Sequence, residues 1–299
     1  MSIQKVLTSQ QYLHTTVEDI RNKLSLQQVL DEGNLGDKLG YLIFTFDQQI
    51  NLSLHIERNL AVKGGVLLDD GKIVLTILWN KELLICSNLP NVVHTDRVKM
   101  QDHPWSVASL SRTTVAVTLP WAESVVIFDI QSKTTKKTIP IGCMCMGISC
   151  KDNKIFVACL GIGLKVIDNS GHIKLTVHTN QRKCWGVCVT NTRIVYSVMK
   201  FKALFSCNYY GDDEVVLKLP SFPKRITALI DNSLYISCNN GVLLHVAADG
   251  RRYENVTIDG LETVRDPWLV NYNTVQNKLL IADVPGIIQI CRELNKNEQ

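Results

Sequence analysis

Hydrophobic residues in this chain gather in short runs bounded by Gly, Asn, Asp or Lys, and the runs recur in register. One set opens on a small or aromatic residue: Gly64-Gly-Val-Leu-Leu, Trp105-Ser-Val-Ala-Ser-Leu, Met146-Gly-Ile-Ser, Trp185-Gly-Val-Cys-Val, Arg225-Ile-Thr-Ala-Leu-Ile and Trp268-Leu-Val-Asn-Tyr. Successive openings lie 39 to 43 residues apart. A second run follows each opening, as in Lys72-Ile-Val-Leu-Thr and Arg193-Ile-Val-Tyr-Ser, and then a third, as in Glu82-Leu-Leu-Ile-Cys and Gly241-Val-Leu-Leu-His-Val. Runs this short, rich in Val, Ile, Leu and aromatics, are strand signals. Turn chemistry introduces a fourth, more polar run: Asn169-Ser-Gly171 stands before His172-Ile-Lys-Leu-Thr-Val, and Asp249-Gly250 before Arg251-Arg-Tyr-Glu-Asn-Val. Four strands in a unit of this length predict a β-propeller blade, and six units predict six blades. Helical crossovers of a parallel sheet have no room between the runs.

The sixth unit ends without its fourth strand, because only Leu294–Gln299 follow its third. A propeller can borrow that strand from the other end of the chain, which removes the open edge. Asn51-Leu-Ser-Leu-His-Ile-Glu57 alternates strictly and is the favoured closing strand, with Tyr41–Phe46 as the other candidate. Upstream, Leu13, Val17, Ile20 and Leu24 repeat at 4-3-4 spacing. This stripe predicts a short helix over 1–35, packed on the rim or forming the tail of a coiled coil and so a homodimer contact. The expected organisation is helix over 1–35, linker and closing strand over 36–60, and propeller over 61–299.

Composition adds little until the repeat is known. The 299 residues are 45% hydrophobic and 20% charged, with a net charge of +4. No apolar run reaches the ~18 residues of a membrane-spanning helix, and the first residues are too polar for a signal peptide. A cytoplasmic protein with no membrane contact is expected. None of the ten cysteines forms a Cys-x-x-Cys pair, and thiols without a disulfide framework suit a reducing compartment. Most fall in apolar runs and read as small buried hydrophobes. Even spacing places Cys143 with Cys145, and Cys184 with Cys188, on shared strand faces.

Gly65-Val-Leu-Leu-Asp-Asp-Gly-Lys-Ile-Val-Leu75, Val126-Ile-Phe-Asp-Ile-Gln-Ser-Lys-Thr-Thr-Lys-Lys-Thr-Ile139 and Asp266-Pro-Trp-Leu-Val270 with Lys278–Asp283 carry a resemblance. Over roughly 40–295 the chain resembles the C-terminal part of tripartite-motif proteins with NHL-type six-bladed propellers, of the divergent kind found in molluscs and other invertebrates. The resemblance implies a recognition module of a ubiquitin-ligase-like protein. The zinc-binding RING and B-box modules of that family need dense Cys/His ligands, and the spacings here supply none.

Candidate chemistry inside the ring is sparse. Asp102, His103, Glu262 and Asp266 approach the inner strands, but no acidic or amide set recurs from blade to blade as a hard cation would need. Neither a metal site nor a cofactor is expected, and the chain reads as non-enzymatic. Gly161-Ile-Gly163 reads as a hairpin turn. The loops of one propeller face gather Arg182, Lys183, Lys200, Lys202, Lys224 and Arg225 with Phe201 and Phe222. Such a basic, aromatic patch fits an acidic protein partner or single-stranded RNA. Trp79 and Trp121 fall in loops and read as exposed anchors for a protein partner. Trp105, Trp185 and Trp268 repeat at one blade position and read as packing between blades. The principal expectation is therefore a protein-binding propeller, with an RNA-binding propeller second and a metal-dependent hydrolase third.

Overall fold

The structure is a computed structural model that describes residues 44–52, 61–89, 92–179, 183–212, 214–256, 258, 267–284 and 286–293. The helix expected over 1–35 lies outside these residues, as do Arg182, Glu262 and Asp266. The described residues form six four-stranded antiparallel sheets. The ring-closing strand β1 is Phe44–Asn51. Blade one holds β2 to β5 (Val62–Leu67, Ile73–Ile77, Glu82–Leu89, Val92–Lys99). Blade two holds β6 to β9 (Val107–Ser109, Thr114–Leu119, Ser124–Asp129, Thr134–Pro140), and blade three holds β10 to β13 (Cys145–Lys151, Lys154–Cys159, Gly163–Ile167, Ile173–His178). Blade four holds β14 to β17 (Cys184–Val189, Ile194–Val198, Ala203–Cys207, Val215–Lys218), and blade five holds β18 to β21 (Pro223–Ala228, Leu234–Cys238, Leu243–Val246, Tyr253–Asn255). Blade six is β22 to β24 (Pro267–Asn273, Lys278–Asp283, Ile287–Glu293) with β1 as its outermost strand.

The burial pattern explains why the runs differ in character. The second strands lie in the middle of their sheets and are covered on both faces, so Ile73–Ile77, Ile194–Val198 and Leu234–Cys238 are buried throughout. The outer strands meet water, and Thr134–Pro140 buries only Ile139. Six apolar clusters lie one between each pair of neighbouring blades, and a seventh gathers Ala61, Leu78, Trp105 and Met146. Sheets stacked round an axis bury alternate residues against opposite neighbours, which is the period-2 pattern of the sequence.

The closing strand is not the favoured 51–57 segment but the preceding one, overlapping the other candidate. Its pairing with β24 runs from Phe44↔Glu293 to Asn51↔Ile287 and shifts between Phe46 and Gln48. That bulge interrupts the alternation and hides the strand from periodicity. Phe44 is buried, with its ring edge-on to Tyr235 and Tyr272 at 5.6 and 5.8 Å, and Lys278 Nζ lies 2.7 Å from Asp47 Oδ2. The seam between blades six and one is held by amide side chains. Asn271 Oδ1 accepts from Leu67 N at 2.9 Å, and Asn273 Nδ2 donates to Leu67 O at 2.9 Å.

A hydroxyl clasp ties inner strands together elsewhere. Thr118 Oγ1 accepts from Ser106 N at 3.0 Å in its own blade and donates to Met146 O at 2.8 Å in the next. Thr76 Oγ1 reaches Trp105 O (3.1 Å) and Ser237 Oγ reaches Trp268 O (3.1 Å) in the same manner. Ser197 Oγ, at the equivalent position, accepts from Gly186 N at 3.0 Å. Blades three and six carry Ala158 and Ala282 there, and close approach replaces the clasp between blades three and four. A Cβ on Gly147 would come within 2.8 Å of Gly186 Cα and of Trp185 O.

All ten cysteines are free, and nine are buried. Cys143 and Cys145 share the cluster between blades two and three. Cys184 and Cys188 do not share a face: a bulge between Cys184 and Val187 turns them into the clusters on opposite sides of blade four. Burial pushes the Cys86, Cys145, Cys188 and Cys291 thiols up to about 12.

Two outcomes follow from this packing. Thr118→Val leaves Ser106 N and Met146 O buried without their partner and should cost about 1–3 kcal/mol in urea unfolding, whereas Thr118→Ser should cost less. Unfolded thiols lose their protons near the ordinary value of 9 while the native ones keep them. Stability is therefore full below pH 9 and should fall as pH rises from 9 toward 12, seen as a declining melting temperature.

Candidate functional site

The loops between second and third strands and the connections between blades share one face. Every one of the five tryptophans lies there. The inner strands begin with a bulge (between Val62 and Gly64, Cys184 and Val187, Pro223 and Arg225, Pro267 and Leu269, for example). Beyond it, Gly64, Arg225 and Leu269 pair with Thr76, Ser237 and Ala282. The residues just before them, which ring the channel mouth, are Lys63, Trp105, Met146, Trp185, Lys224 and Trp268. Indoles take every second place in this ring, separated by Lys63, Met146 and Lys224.

At the mouth the side chains touch one another. The Trp105 and Trp185 rings meet edge-to-face at 5.1 Å. Lys63 Nζ stands 4.0 Å from the Trp268 ring centre and 5.7 Å from that of Trp105, and Lys224 Nζ stands 4.9 Å from Trp268. Ammonium groups over indole faces are favourable cation–π pairs. Trp268 Nε1 donates to Lys63 O at 3.2 Å. Burial pulls the Lys63 ammonium below its ordinary value, and the charges of Arg225 and Lys224 lower it further. Three cations are thus concentrated on a chain whose net charge is only +4.

From Trp105 an aromatic ladder runs outward. Trp105 meets Trp121 at 6.4 Å, Trp121 meets His103 at 5.3 Å, and His103 meets Trp79 at 6.1 Å. Trp79 and Trp121 are 64% and 50% exposed, while Trp105 is buried. His103 is held in place by Asp102, whose Oδ1 lies 2.9 Å from Nδ1. Burial pulls the Asp102 carboxyl upward, but hydrogen bonds from His103 and Lys81 outweigh it and hold it below the usual carboxylate range.

The basic patch is brought together in part. Lys183, Lys200, Phe201 and Lys202 are exposed, as is Phe222. Lys202 Nζ lies 5.6 Å from the Phe222 ring. Lys200, Phe222 and Lys224 line a groove of about 270 Å³ between Trp185 and Trp268. Lys224 and Arg225 leave the solvated surface, being only 4% and 7% exposed. Arg225 turns into the channel because its backbone position lies one step inside the mouth ring. Trp105, Trp185 and Trp268 likewise sit at the mouth rather than in the clusters between blades. Periodicity found this position, but it could not show that the bulge aims it at the axis. Among the described residues no group of three or more His, Cys, Asp or Glu side chains converges as a metal site would.

No protein-family model matches the sequence, and no curated protein matches it. Solved structures share its fold. Virginiamycin B lyase from Staphylococcus aureus is similar with a TM-score of 0.58 and 15% identity, over 85% of this chain and 90% of that one. A luciferin-regenerating enzyme is similar at 0.64 and 10%, over 83% and 96%. A chain of a mitotic checkpoint complex is similar at 0.61 and 10%, over 87% and 96%. At these identities the likeness shows the propeller fold alone. The expectation that the chain is not an enzyme is corrected by the first two: the architecture also carries catalysts, so an inner ring poor in recurring acidic residues does not exclude catalysis.

The division between exposed and buried tryptophans has a measurable consequence. Trp79→Ala and Trp121→Ala should each change stability by no more than ~0.5 kcal/mol. Trp105→Ala empties a packed position and should cost about 3–5 kcal/mol in the same denaturant titration.

Proposed function

We propose that this propeller recognises an acidic protein segment on its tryptophan-bearing face. The observation that carries this reading is the placement of all five tryptophans at one end, two of them widely exposed and a third, Trp268, lying under the ammonium groups of Lys63 and Lys224. Exposed large aromatics next to cations are the usual make-up of binding hot spots, where indole area and a fixed charge act together. The groove between Trp185 and Trp268 offers a seat for an apolar side chain, and Lys200 and Lys224 in its wall, with Lys202 beside Phe222, give it positive charge. The resemblance to tripartite-motif propellers supports the same use: in such an architecture this face would select the substrate of a cytoplasmic ligase.

The test is a display of acidic and neutral peptides probed with the full chain. Wild-type protein should favour acidic peptides with an aromatic or aliphatic anchor. Combining Trp79→Ala, Trp121→Ala, Lys200→Glu and Lys202→Glu should weaken that binding by about 100-fold, a loss of ~2.7 kcal/mol. Equal binding by wild type and variant would remove the face from recognition. Steeply salt-dependent binding to single-stranded RNA, with no peptide preference, would replace the protein partner by a nucleic acid.

A further inference from the structure

Arg225 is the one large polar side chain at a position that four blades fill with Gly64, Ser106, Gly147 and Gly186 and blade six with Leu269. These small residues leave the space into which it extends. From blade five its Nη2 donates to the carbonyl of Lys63 in blade one and lies 3.4 Å from that of Trp105 in blade two, so the side chain crosses the axis. It is 93% buried, the complement of its 7% exposure. Its Nε and Nη1 meet no acceptor, and neither does the buried Nε1 of Trp105, whose ring lies 6.0 Å from the guanidinium carbon. Among the described residues no carboxylate pairs with Arg225. Burial pulls its pKa down to about 10, so the charge persists at neutral pH.

Buried donors of a charged group are rarely left open, because each loses its hydration without replacement. Arg225 also lines the central cavity, which measures about 560 Å³ and is walled by the inner strands of all six blades. That volume is ordinary for a small-molecule site. The charged residues lining it are Arg225, Lys151 and Asp69, and Asp69 Oδ1 already accepts from Asn273 Nδ2 at 3.0 Å. A guanidinium with two free N–H groups beside such a space is half of a charge-assisted pair.

We propose that the central channel binds one free small oxyanion, a phosphate or a carboxylate, whose oxygens accept hydrogen bonds from Nε and Nη1 of Arg225. The ligand is free rather than part of a docked partner, because the guanidinium is enclosed below the Trp105–Trp185 contact. The site is independent of the recognition face.

Calorimetric titration of the full chain with inorganic phosphate, and separately with succinate, tests the site at constant ionic strength set by chloride. Saturable binding of one anion per chain is expected, and the stronger of the two identifies the oxyanion class. Arg225→Met should abolish it, and Arg225→Lys should weaken it by about tenfold or more, since an ammonium cannot present the same pair of donors. No saturable heat from wild type with either anion overturns the proposal. So does wild-type affinity in either variant. If Arg225→Met fails to fold, the wild-type titration and Arg225→Lys still decide.

Discussion

The structure depends on how closely its innermost strands approach one another at the channel mouth. Six strands must converge on one axis, and their backbone carbonyls there point away from any ladder partner. Thr76, Thr118 and Ser237 answer this by donating a hydroxyl to the carbonyl of the next blade. Where blade three lacks the hydroxyl, Gly147 and Gly186 come together so tightly that no Cβ fits. Between blades six and one, Trp268 Nε1 donates to Lys63 O at the mouth, and the side-chain amides of Asn271 and Asn273 hold Leu67 at the other end of the inner strands. These contacts fix the ring's diameter, and the diameter sets which side chains can meet across it.

The aromatic mouth and the arginine beneath it are both consequences of that geometry. A bulge at the start of the inner strand turns one residue per blade toward the axis, and indoles and ammonium groups at neighbouring positions find each other. One residue further along, four blades offer Gly or Ser, and the room left over is filled by a single guanidinium from the fifth. The Lys63 carbonyl that takes a bond from Trp268 Nε1 also receives one from Arg225. The recognition face and the channel are therefore neighbours that share backbone but use different side chains.

The blades were legible in the sequence because period-2 burial and turn residues repeat every forty or so positions. Local irregularities were less so. A bulge at Asp47 masked the closing strand behind the cleaner alternation of 51–57. In blades one and five the repeat was entered at Gly64 and Arg225, one residue past Lys63 and Lys224 in the ring, because no aromatic residue marks the position there. Cys184 and Cys188, four apart, were parted by a bulge. Trp79 and Trp121 were readable as exposed because their loops are polar. The buried course of Arg225 was not, since its acceptors are main-chain carbonyls distant in sequence.

The closing strand has a direction as well as a position. It begins at Phe44, opposite Glu293 at the end of β24, and finishes at Asn51, opposite the start of β24 at Ile287. The start of β24 lies on the tryptophan side and its end on the other. The covalent connection to upstream residues is consequently made at the far end of the barrel of blades. Within the propeller, the first described residue and the exposed indoles therefore belong to opposite faces.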